Sequence, residues 1–217
     1  MIREILYNFK LELKLDWRNK TMLQSNVFFI LLTIIVIHLS FNKISIQNWN
    51  SLFWIVVLFS SIGIMTKSFL HNTISQKLYL YTMSSGRNIW ISRWIYHGLL
   101  LLMLIFLTYI LLVLFKNDPV EDHCLFFITC SFGASLFSMI LSLTSAIVSH
   151  TNKSGALMAT LGMPLLIPII IILIELSLNS MIGLSFQTSL KSLGSLLLLQ
   201  ILLFIIGFIL FPNLWQE

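Results

Sequence analysis

Long apolar runs separated by short polar connections occupy most of the chain. Val27–Phe41, Trp49–Thr66, Ile95–Phe115, Cys124–Val148, Leu157–Leu176 and Leu193–Phe211 are rich in Leu, Ile, Phe and Val on every helical side. Wound as helix at about 1.5 Å per residue, each crosses roughly 30 Å of hydrocarbon, the first with help from a few flanking residues. An outer-membrane barrel would show alternating segments of about 10 residues instead. The pattern predicts an all-α integral membrane protein with six transmembrane helices.

The segment before the first span follows a different rule. In residues 1–22, Ile5, Phe9, Leu13 and Trp17 recur every fourth position, and Lys10, Lys14 and Arg18 do the same on a neighbouring face. That spacing predicts an amphipathic helix on the cytoplasmic interface, its apolar side in lipid and its basic side among headgroups. Leu11, Leu15 and Asp16 break the pattern and leave open a helix that packs on the bundle or on a partner. Residues 23–217 then form the six-helix membrane domain. Met1–Lys20 has no continuous apolar core, so no cleaved signal peptide is expected.

Composition agrees with the pattern. Of 217 residues 58% are hydrophobic and 10% charged, with a mean hydropathy of +0.94, whereas about a quarter of a soluble domain is charged. Charge also orients the chain. With the N-terminus cytoplasmic, ten basic residues fall on that side (Arg3 to Lys20, Lys67, Lys77, Arg87, Arg93 and Lys153) and three, Lys43, Lys116 and Lys191, on the other. This bias predicts a multi-pass protein with both termini cytoplasmic. The net charge of +5 suits anionic headgroups and requires no nucleic acid. Asp118, Glu121 and Asp122 cluster in the outer loop between the third and fourth spans. Cys124 and Cys130 do not form a CxxC pair and imply no disulfide framework.

Two internal features stand out. The first is the cytoplasmic connection 67–93, "KSFLHNTISQKLYLYTMSSGRNIWISR", too long and too patterned for a minimal hairpin. Lys77, Tyr79, Tyr81, Arg87, Trp90 and Arg93 make it a candidate surface for force from a soluble partner; a quiet membrane-surface loop is the alternative. The second is Pro164 and Pro168, which lie four residues apart inside the fifth apolar run, near Gly162. Neither proline donates an N–H, so the carbonyls of Thr160 and Pro164 lose their usual partners and any bend accumulates on one face. Unpaired backbone is tolerated at membrane depth only against protein or a water-containing cavity. Gly162 lets a neighbouring helix come close. The stretch is either a kinked structural helix or a bend that moves.

Chemistry-bearing residues are sparse. Glu175, near the outer end of the same run, either reaches headgroup water or faces a partner. His38 and His123 lie near outer ends of spans and are weak candidates for haem ligation; His71, His97 and His150 lie elsewhere, so no single metal cage is expected. No HExxH, no acid–histidine–nucleophile arrangement and no GxxxxGK[ST] occurs. No catalytic residue and no metal site are assigned, and a nucleotide that drives this protein must bind another subunit. Whether the chain is itself part of an enzyme stays open. Six spans with a leading surface helix suit an ATP-driven permease, a secondary transporter or a non-transporting assembly scaffold.

Four passages together resemble the CcmB family: "ELKLDWRNK", the 67–93 connection, "GALMATLGMPLLIPIIII" and the closing "LFPNLWQE". The resemblance covers essentially the full chain. It implies an ABC-2-like permease subunit of the bacterial inner membrane, working in the haem-exporter-type system for cytochrome c maturation. The implied partners are a CcmA-like ATPase that binds the ATP, CcmC-like and CcmD-like membrane proteins, a haem chaperone acting indirectly, and a second copy of the permease. The implied work is to couple ATP hydrolysis to release of haem-loaded chaperone. Haem enters at the level of the complex, and its passage through this subunit is not implied.

Overall fold

The computed structural model describes residues 2–18, 21–70, 85–149, 155–184 and 186–216. These form seven helices with no strand among them: α1 (Ile2–Arg18), α2 (Thr21–Ser40), α3 (Ile46–Leu70), α4 (Gly86–Lys116), α5 (His123–Ser149), α6 (Gly155–Met181) and α7 (Phe186–Gln216). Five, α2 and α4 to α7, contain stretches long and apolar enough to cross a membrane. The sixth long helix, α3, has 25 residues and a length of roughly 37 Å. Gln47, Asn48, Asn50, Ser60 and Ser61 dilute its apolar character. Asn50, Ser60 and Ser61 are buried, which hides them from lipid.

Contacts at the helix ends show that α2 to α7 run alternately up and down. Lys116, closing α4, donates to the carbonyls of His38 and Phe41 at the end of α2. At the same end Trp49 of α3 meets the rings of Tyr109 on α4 and Phe126 on α5. There too Asn50 Nδ2 donates to the Ile174 carbonyl of α6 at 2.8 Å, and Ser192 of α7 donates to Glu175. At the opposite end Arg87, opening α4, lies 4.8 Å over the Phe208 ring of α7.

Burial ranks the helices. Two thirds of the apolar stretch of α5 (67%) is buried against 17% of that of α7, so α5 is the axis of the bundle and α7 its lipid-facing flank. Five hydroxyls inside the bundle are satisfied locally: Thr129, Ser142, Thr144, Ser145 and Ser180 donate to carbonyls one turn back on their own helices. Glycines admit the largest rings. A Cβ on Gly133 of α5 would stand 2.8 Å from Trp54 Cη2, and one on Gly207 of α7 would collide with the indole of Trp90.

Helix α1 docks on α4. Phe9 meets Tyr96 edge-on at 5.7 Å between ring centroids and Ile5 is half-buried, whereas Leu6, Tyr7 and Leu13 are exposed together with Arg3, Lys10 and Lys14. One of the positions assigned to lipid from their spacing, Phe9, therefore faces protein. The side chain of Trp17 lies outside the described residues.

Candidate functional site

Among the described residues, the α1–α4 joint gathers charged and amide side chains from both helices. Glu4, Asn8 and Glu12 recur every four residues and so share one face of α1. Opposite them α4 presents Asn88 and Arg93. Asn88 Nδ2 donates to Glu4 Oε2 at 2.6 Å. Arg93 Nε donates to Glu12 Oε1 at 2.9 Å, with the arginine side chain 2% and the glutamate 13% exposed. Asn8 and His97 are buried beside them. A charge-assisted bond in such surroundings gains strength from the low dielectric and leaves a costly orphan if one partner is withdrawn. These bonds tie α1 to the first turns of α4.

The six coupling candidates divide. Lys77, Tyr79 and Tyr81 lie outside the described residues. Arg87 is exposed at the start of α4, whereas Trp90 and Arg93 are buried. Trp90 is wedged against Gly207 and the Phe204 ring of α7, and Arg93 is held by Glu12. Neither buried side chain offers surface to a soluble partner; both fix α4 to its neighbours.

Helix α6 remains helical through both prolines. Pro164 and Pro168 are exposed on its outward face together with Leu161, Leu165, Ile167, Ile171 and Glu175. Among the described residues, this face of α6 is left exposed. Gly162 is buried on the opposite side, where a Cβ would lie 3.7 Å from Leu141 and 3.8 Å from Thr144 of α5. The C-terminal half of α6 is pinned. Ser177 Oγ donates to Asn50 Oδ1 at 2.7 Å and accepts from Trp54 Nε1 at 2.9 Å, all three residues being buried. The prolines sit between this anchor and the N-terminal end of the helix.

The outer-side candidates occupy separate settings. The His38 ring tilts against Phe115 at 5.1 Å. Tyr109 donates to Asp118 Oδ2 at 2.7 Å, and His123 lies 3.4 Å from the tyrosine oxygen and 3.9 Å from that carboxylate. Asp118 also accepts from Val120 N, and Asp122 from Leu125 N, so two of the loop acids shape the turn and cap α5. Glu175 accepts from Ser192 Oγ at 3.3 Å.

Sequence reasoning missed Glu4, Asn8 and Glu12, although two acids at helical spacing in a basic segment were a usable signal. It also missed the Asn50–Trp54–Ser177 network, for which an asparagine inside an apolar run was the hint. No curated protein matches the chain. The family model described as CcmB protein matches residues 3–209, nearly its whole length, and the chain belongs to the CcmB family.

Proposed function

We propose that this chain is the six-span, ABC-2-like permease subunit of an ATP-driven complex for cytochrome c maturation, and that α1 and the base of α4 receive the stroke of a separate ATPase. Membership of the family implies the role in cytochrome c maturation within a haem-exporter-type system, and members act with a CcmA ATPase and other Ccm proteins. The finer assignments are ours. CcmC-like and CcmD-like proteins are further partners, and the membrane is the bacterial inner membrane with both termini in the cytoplasm. ATP binds the partner and haem is handled by the complex.

The observation that carries the coupling reading is the buried Glu12–Arg93 pair, reinforced by Asn88 and Glu4. It joins a surface helix with exposed basic residues to a helix that runs the length of the bundle. A push on α1 therefore moves α4 as a unit, and α4 carries the Trp90 wedge into α7. Alternating directions of α2 to α7 support six crossings, with α3 as the one shielded from lipid.

Deletion of the gene followed by haem staining tests the role, with apocytochrome abundance measured separately. Loss of covalently bound haem with the apoproteins still present is expected. Normal c-type cytochromes, in a strain with no second maturation system, would reject it in favour of a transporter or scaffold acting elsewhere.

A further inference from the structure

On the lipid-facing side of the bundle, α4, α5 and α7 enclose a recess of about 410 Å³ that opens laterally. Trp94, Phe132, Met139, Leu197, Ile201 and Phe204 line it. Gln200 also borders it, but Gln200 Nε2 and Trp94 Nε1 both donate to Ser135 Oγ, at 3.0 and 3.2 Å. Those N–H donors are thereby turned into the protein, and the walls are left apolar. Beyond Phe204 an aromatic path continues. Trp90 and Trp94 stack at 6.3 Å, Phe204 and Phe208 at 6.2 Å, and the exposed Arg87 guanidinium rests over Phe208.

We propose that this recess holds an acyl chain of an anionic glycerophospholipid whose phosphate is bound by Arg87. Length agrees with a lipid: from Leu197 to Phe208 is about 16 Å of rise, close to one leaflet of a hydrocarbon layer roughly 30 Å thick. Charge selects the headgroup. Arg87 stands where the lipid phosphate comes to lie, and a guanidinium offers two parallel N–H donors to phosphate oxygens. The indoles of Trp90 and Trp94 line the descent, as tryptophans do near a membrane interface. A lipid seated here bears on Trp90, the residue that links α4 to α7.

The test uses the assembled complex in phosphatidylcholine nanodiscs containing a minor fraction of phosphatidylglycerol with a diazirine in its acyl chain. Phosphatidylcholine carrying the same diazirine is the control. After irradiation, crosslinks at Trp94, Phe132 and Leu197–Phe204 are expected to favour the anionic lipid about fivefold, the factor contributed by one basic residue at the surface. Arg87→Gln, at an exposed position, should bring the two lipids to parity. Ile201→Trp fills the recess and should remove the label from Phe132, with Leu197→Phe as a milder filling variant. Equal labelling of the wild type by both headgroups would overturn the proposal, as would label at Phe132 undiminished in both filling variants. Crosslinks from these positions to a partner protein instead of lipid would also overturn it. The readout is lipid labelling, so its failure leaves the role in cytochrome maturation untouched.

Discussion

A carboxylate and a guanidinium 2.9 Å apart, with the arginine side chain 2% exposed, behave as one unit. Removing one partner strands a buried charge at a cost of about 3 to 5 kcal/mol, whereas replacing both by apolar groups of similar size is often nearly neutral. Glu12→Gln should therefore loosen α1 from α4 and speed tryptic cleavage at the exposed Lys10 and Lys14 in the solubilised complex. Glu12→Leu combined with Arg93→Met should restore most of the thermal stability and protease resistance. A single variant as resistant as the double would show that other contacts hold the joint. Arg93 was legible as a basic residue at the foot of a span, but its partner was not, because Glu12 lies 81 positions away and nothing local marks the pairing. At Gly162 the sequence suggests a close approach of a neighbouring helix, but a Cβ there would meet Leu141 and Thr144 at 3.7 and 3.8 Å, ordinary contacts, so the packing does not depend on glycine.

Helices show the same division between what lipid dictates and what neighbours dictate. The stretches of α2 and α4 to α7 were readable because a helix bathed in hydrocarbon must be apolar along its length. The docking of α1 was not, because its apolar and polar positions serve two environments and spacing alone cannot rank them. In α6 the same-face spacing of Pro164 and Pro168 was plain, and the face turned out to be the exposed one. Both prolines lie between the Ser177 anchor to α3 and the N-terminal end of α6, where the helix can bend without disturbing that network. Alanine at both sites restores two N–H donors and favours a straighter helix. In a complex whose assembly is verified, Pro164→Ala with Pro168→Ala should leave ATP hydrolysis and cytochrome maturation uncoupled, with either single variant milder. Wild-type haem attachment in the fully assembled double variant would reduce the prolines to tolerated features of the surface.

At the scale of the whole molecule the open matter is how many times the chain crosses the bilayer and in which direction. Five helices contain long apolar stretches among the described residues, and α3 carries Asn50, Ser60 and Ser61, which are buried in the bundle. Its length and its contacts at both ends nevertheless match those of a crossing helix: Trp49 meets Tyr109 and Phe126 at one end, and a Cβ on Gly63 would stand 2.8 Å from Asn26 Oδ1 of α2 near the other. With α3 included, the turns after α2 and α4 share one side, and α1 lies on the opposite side with the greater number of basic residues. If α3 failed to cross, the turn after α2 and the turn after α4 would lie on opposite sides. Single cysteines at Lys43, Glu121 and Lys10, in a Cys124→Ser background with the buried Cys130 left in place, distinguish these maps. A membrane-impermeant maleimide added to intact cells should label the first two and reach the third only after permeabilisation. Opposite behaviour of Lys43 and Glu121 would remove α3 from the membrane, and labelling at Lys10 in intact cells would invert the protein.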